Sequence, residues 1–316
     1  MRPILRLARS RRARFAFNAF SVALACTVGS LAILHFVETG WPLAHASLVG
    51  ILGASGLFLG AYAFKAWGWQ RLFAPGERPQ TIALAAAGGA ASVTGIALPG
   101  RFDEVVRIAV VRKFPGTRAG LGGVCLSLLL LGLIDSAALT PLAGVAAGVS
   151  SSSSLFRAGL IVVAAAGIAA AGVVVALPKL ARTRRLVRFG FVRWIETHCA
   201  CTREASKAWC FVSLSWVLRG AAIVVLFDAL GMHASVPLAL AFLCASAASA
   251  ALPVAPAGAA TQAGAGAAIL IASGVPASKA VAFAIAAQTL VILAGAAVVA
   301  FAGLWRARQL LVPARA

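Results

Sequence analysis

The sequence predicts an all-α polytopic membrane protein with about six full transmembrane helices and two opposed, broken re-entrant hairpins, arranged as an inverted repeat. Three observations predict it. Of 316 residues, 61% are hydrophobic and only 11% are charged, where a soluble domain has about 45–50% and about 25%. The apolar residues form runs of about 20, the length that crosses a bilayer as helix. The basic residues collect in the gaps between those runs. This composition excludes a soluble enzyme, a disordered chain, a disulfide scaffold and a collagen-like repeat.

Six arginines mark a basic tail over residues 1–14. The apolar run 15–37 is long enough to span and is followed by more spans, so it reads as an uncleaved first helix rather than a signal peptide. Further spans are expected at 47–69, 119–148, 155–177, 209–231 and 277–303. Residues 81–98 and 236–275 are apolar but interrupted by Gly and Pro. A basic tail covers 304–316, and the whole of 15–303 reads as one transmembrane domain.

Charge orients these spans. The segments 1–14, 65–78, 101–118, 179–207 and 304–316 hold 25 of the 28 Lys and Arg, leaving Arg157, Arg219 and Lys279. By the positive-inside rule they are cytoplasmic, with both termini inside and the chain in the plasma (inner) membrane. The net charge of +20 therefore points to a membrane surface rather than to nucleic acid. The loop 178–207 interleaves its arginines with Phe189, Phe191 and Trp194, as an amphipathic helix on anionic lipid does. His198, Cys199 and Cys201 lack the paired spacing of a zinc site, so neither a metal nor a cofactor is expected.

This orientation constrains the broken segments. Segment 81–98 starts and ends among basic residues of one side, so it enters from the cytoplasm and returns. Segment 236–275 must do the same from the opposite face. The breaks fall near 99–104, at Pro99 and Gly100, and near 253–262, at Pro253, Pro256 and Gly258. Gly/Pro-interrupted segments in corresponding places of two halves point to an inverted-repeat transporter site.

At the first break a helix restarts near Arg101, with Asp103 and Glu104 in its first turn, where carboxylates complement the helix dipole. Either can bridge Arg107 on one face. A buried helix start beside Arg101 and Arg107 also suits an anionic head group. At the second break Thr261 and Gln262 either satisfy freed backbone groups or bond a head group. Asp135 and Arg219 fall mid-span, where ionisable groups are costly and are paired or functional. They are candidates for an ion pair with each other, and Asp135 for a proton site.

The breaks resemble those of the lysylphosphatidylglycerol synthase transmembrane, or flippase-like, family. Pro99, Glu104 and Arg107 match its first signature, with Asp103 where the family has Gly. Pro253, Pro256, Gly258, Thr261 and Gln262 match the second, with Ala257 and Ala260 in place of glycines. Gly274, Pro276 and Gln288 also fit, and the resemblance covers about 15–303. It implies lipid translocation or handling of lipid-linked sugars. The family's synthases carry a soluble catalytic domain after the membrane part. Because this sequence stops at Ala316, aminoacyl transfer is not expected of it.

Three functions follow. The first moves a phospholipid or lipid-linked sugar head group between leaflets, with Arg101, Arg107 and Arg219 on phosphate, Glu104 positioning an arginine, and Thr261 and Gln262 on polar groups. The second is a non-transporting scaffold for a lipid- or glycan-modifying enzyme. The third is an intramembrane lipid-phosphate transferase, which the positions of the four histidines disfavour; the chain is expected not to be an enzyme.

Overall fold

The computed structural model describes residues 34, 38, 46–95, 102–149, 154–181, 201–233, 235–251 and 258–311. The expected first span, the breaks Pro99, Gly100, Arg101, Pro253 and Pro256, and most of the 178–207 loop lie outside them. The described residues form nine helices: α1 Leu48–Gln70, α2 Thr81–Thr94, α3 Phe102–Lys113, α4 Leu121–Val149, α5 Ser154–Ala181, α6 Thr202–Ala229, α7 Val236–Ala251, α8 Gly258–Ala272 and α9 Ala277–Leu311. Five of them, α1, α4, α5, α6 and α9, are long and apolar enough to cross a membrane. The protein is a multi-pass α-helical membrane protein.

Local chemistry sets the helix ends. The Ser47 side chain caps α1 by accepting from the Gly50 N–H at 3.3 Å. Gly274 ends α8 at φ 90°, and the Val275 N–H closes back on the Leu270 carbonyl at 3.0 Å. That left-handed closing turn favours glycine. Pro276 then stands immediately before α9.

Small residues set the packing. Helices α1 and α6 lie side by side and antiparallel. A Cβ on Gly50 would meet Ala229, one on Gly60 would meet Leu218, and one on Gly68 would meet Val212. Helices α2 and α9 cross with Gly89 against Gly295, so closely that a Cβ on Gly89 would strike the Gly295 carbonyl. Small-residue contacts of this kind let helices associate where lipid removes the hydrophobic drive.

Two hairpins of short helices sit within this frame. Helix α2 packs on α3, and α7 packs on α8. Lys65 meets Asp135 and Trp69 meets Ser127, so α1 and α4 are antiparallel. The α2–α3 hairpin therefore leaves and returns at one end of the bundle. Phe227 stacks on Phe283 at 4.1 Å, which brings the end of α6 to the start of α9. The α7–α8 hairpin thus also returns to its own end. That end is the opposite one, because the end of α6 lies against the start of α1.

The two sets of helices correspond. Helix α8 starts at 258, 156 residues after α3 at 102, and α9 starts at 277, again 156 residues after α4 at 121. Contacts follow the same exchange: α2 packs on α9 as α7 packs on α4, and α1 packs on α9 as α6 packs on α4. The core likewise divides. One cluster centres on Leu84, Val111, Ile134 and Val212, and the other on Phe227, Phe242, Leu270 and Phe283.

One boundary differs from the sequence reading, and one helix begins where it was expected to restart. Helix α6 begins at Thr202 rather than near 209, because Glu204 and Lys207 pair at i,i+3 and extend it. Residues 102–113 of the expected cytoplasmic segment 101–118 are helix α3, packed on α2 and contributing to the interior.

Candidate functional site

The helix ends that flank the two breaks meet. The Ala259 N–H, at the start of α8, reaches the Gly95 carbonyl, at the end of α2, at 3.5 Å. Beside this junction lies a cavity of about 740 Å³. Both halves line it.

Its charged residues come from four helices. Lys65 (α1), Arg107 (α3) and Arg219 (α6) face Asp103 and Glu104 (α3) and Asp135 (α4) around the same space. Among the described residues, three cations thus stand against three carboxylates. Balance is what a low-dielectric site requires, since an unpaired charge there costs several kcal/mol.

Asp135 is the best-held group. Lys65 Nζ lies 2.7 Å from its Oδ2, and Trp216 Nε1–H donates to its Oδ1 at 3.0 Å. One carboxylate thereby ties α1, α4 and α6 together. The pair that the sequence suggested, Asp135 with Arg219, does not form. Arg219 lies instead over two aromatic faces, with its Cζ 5.0 Å from the Trp216 ring centre and 5.8 Å from that of Tyr62. Aromatic faces attract a guanidinium through the ring quadrupole. No carboxylate among the described residues lies within ion-pair distance of Arg219.

Lys65 is the residue that sequence reasoning missed. Counted with the cytoplasmic cations of 65–78, it lies inside α1, five residues before its end. The apolar run Ala66 to Trp69 beyond it, and its place one turn after Tyr62, were the available signals.

Arg107 pairs with Asp103 at 3.4 Å across one helical turn. Its Nε is buried and has no hydrogen-bond partner among the described residues. Glu104, the other expected partner, lines the cavity beside it. On the other wall stand Thr261, Gln262 and Gln288. Ser246 Oγ–H donates to the Gln262 carbonyl at 3.0 Å, which pins the two arms of the second hairpin together. The Gly258 backbone begins α8.

Tyr62 stitches the halves above the cavity. Its hydroxyl lies 2.6 Å from Ser92 Oγ and 3.2 Å from the Val291 carbonyl, next to the Gly89–Gly295 crossing. Among the described residues no group of His, Cys, Asp and Glu is placed to hold a metal ion.

Fold and site together define a polytopic helical membrane protein with a charged cavity between two corresponding halves. The chain belongs to the lysylphosphatidylglycerol synthase TM region family, whose model matches residues 18–298. No curated protein and no solved structure matches it.

Proposed function

We propose that this chain is a lipid flippase, moving the head group of a phospholipid or lipid-linked sugar between leaflets through the cavity while the acyl chains stay in lipid. The observation that carries this reading is the unsatisfied cation chemistry of the cavity. Among the described residues, Arg107 keeps a buried N–H without an acceptor, and Arg219 is met by rings alone. A lipid phosphate supplies the missing acceptors, and guanidinium groups bind phosphate with two parallel hydrogen bonds.

The hairpins support the same reading. Interrupted backbone at membrane depth is tolerated where it lines a cavity, and transporter sites form where such breaks converge. In this reading both hairpins are re-entrant, from opposite faces, and the repeat is inverted across the plasma (inner) membrane. The end of the α1–α6 pair that bears Arg71, Arg78, Arg203 and Lys207 is cytoplasmic, as are both termini. Arg101 joins Arg107 and Arg219 on the phosphate, Glu104 positions Arg107, and Thr261 and Gln262 bond the polar part of the head group. Asp135 holds Lys65 until the substrate arrives. No bond is made or broken, so the chain is not an enzyme.

The test is exchange of labelled lipids between leaflets of liposomes containing the purified protein. Phospholipids and lipid-linked sugars are compared, and Arg107→Ala and Arg219→Ala are the controls. Protein-dependent exchange that both variants abolish is the expected result. Equal exchange by wild type and both variants would sink the assignment. No exchange of any lipid would transfer weight to a scaffold for a lipid- or glycan-modifying enzyme.

A further inference from the structure

A second charged cluster lies away from the cavity, where α1 ends and α6 begins. Glu204 holds three cations at once. Its Oε2 lies 2.7 Å from Arg78 Nη2 and 3.3 Å from Arg71 Nη1, and its Oε1 lies 2.9 Å from Lys207 Nζ. One negative charge against three positive ones leaves an excess of two. Both oxygens of Glu204 are engaged and its side chain is only 15% exposed, whereas Lys207 is 42% exposed. The cations thus border the outside while their carboxylate lies behind them. Arg78 Nε is buried and has no hydrogen-bond partner among the described residues. Among the described residues, the cluster is short of negative charge and of one acceptor.

Its surroundings say where such an acceptor comes from. On α1, Trp67 stands four residues before Arg71. On α6, Phe211 stands four residues after Lys207. Residues four apart share a helix face one turn, about 5.4 Å, from each other. The ring centres of Trp67 and Phe211 are 6.2 Å apart, with Phe64 against both. Trp67 is 42% exposed. On both helices an aromatic layer therefore lies one turn inside a cationic layer. Tryptophan settles at the level where acyl chains meet head groups, and cations one turn further out stand at the level of the phosphates.

We infer that Arg71, Arg78 and Lys207 form a binding site for the phosphate of an anionic phospholipid, seated on the Phe64–Trp67–Phe211 layer and separate from the translocation cavity. Glu204 organises the site by holding the three cations within reach of one another. Its single charge leaves them attractive to an anion. The lipid would clamp the α1–α2 connection to the start of α6, the antiparallel pair at the centre of the fold. The inference does not rest on the flippase reading and survives its failure.

The experiment is thermal unfolding of the purified full chain in detergent, titrated separately with phosphatidylglycerol, phosphatidylcholine and inorganic phosphate. Wild type is expected to gain several degrees, saturably, with phosphatidylglycerol and little with the other two. Arg78→Gln and Arg71→Gln are expected to lose most of that gain, and adding salt should weaken it in wild type. Glu204→Gln, if it folds, is expected to keep or strengthen the gain, because it removes the competing charge. An equal gain with phosphatidylcholine, or an unchanged gain in Arg78→Gln and Arg71→Gln, would overturn the site. An equal gain with inorganic phosphate would overturn its assignment to a lipid. Should either arginine variant fail to fold, Lys207→Gln, on the exposed rim, gives the same test.

Discussion

Helix α3 of the first hairpin and α8 of the second occupy corresponding places, yet their residues differ in kind. At a separation of 156 residues, Glu104 corresponds to Ala260, Arg107 to Ala263, and Asp135 on the following span to Val291. The first half brings Lys65, Asp103, Glu104, Arg107 and Asp135 to the cavity, while the second brings Arg219, Thr261, Gln262 and Gln288. The crossings differ too. Gly89 meets Gly295 where α2 crosses α9, but the residues corresponding to them are Ala245 and Leu139. A repeated frame therefore carries its charge mostly on one wall, and one of its two equivalent crossings is tighter than the other. Packing needs only small and apolar residues at matching places, so it tolerates this divergence. On the flippase reading, a head group with a charged and a neutral part would use the asymmetry.

The largest effect should come from the charged wall. Arg107→Ala removes hydrogen bonds to a charged group, worth about 1.5–3 kcal/mol, so leaflet exchange should fall at least about tenfold. Ala263→Ser, at the corresponding place on α8, which packs on the second core cluster rather than on the cavity, should change exchange less than about twofold, because a helical Ser can bond its own backbone. Similar losses in both would mean that the walls do not differ in role.

The Lys65–Asp135 pair separates stability from function. Lys65→Met leaves Asp135 without its cation and should destabilise the protein by roughly 1–3 kcal/mol, less than for a fully buried pair because both groups border the cavity. Lys65→Met combined with Asp135→Leu should recover much of that in thermal unfolding without recovering exchange. If the double variant transports normally, the pair serves only the fold.

The tight crossing should be the more fragile of the two. Gly89→Val forces a side chain against the Gly295 carbonyl and should cost about 1–3 kcal/mol, whereas Ala245→Val should cost less than half as much. Thermal unfolding of the two variants orders them directly. On the neutral wall an effect smaller than that of Arg107→Ala is expected. Gln262→Ala removes one neutral hydrogen bond of about 0.5–1.5 kcal/mol and should slow exchange by about two- to tenfold.

Much of the frame was legible in the sequence, because length and apolarity decide which segments span. The expected spans 47–69, 119–148, 155–177 and 277–303 overlie α1, α4, α5 and α9. Helices α2–α3 and α7–α8 fall where the interrupted segments were read, whereas the Gly and Pro breaks themselves lie outside the described residues. The partners inside the cavity were not legible. Arg219 was the one cation the sequence offered to Asp135, and finding Lys65 in its place needs the rotation and depth of α1 and α6 together. The topology count could not distinguish Lys65 from a loop cation, since its charge counts the same at either depth. The stacking of Arg219 between Tyr62 and Trp216 depends on the α1–α6 register, which small residues set in three dimensions rather than in any periodic pattern.

The returning hairpins also decide a matter of parity. Between the start of α1 and the start of α6 the chain runs along three long helices, α1, α4 and α5, and α2–α3 turns back to the end it left. Three is odd, so the next copy of the unit must run the other way, as the antiparallel α1–α6 contact records. Had α2–α3 gone straight through, the count would be four and the copies would point alike. The meeting of the end of α2 with the start of α8, at Gly95 and Ala259, would then have no geometric basis. The relative direction of the two copies in this chain thus depends on one short pair of helices returning to the end of the bundle it left.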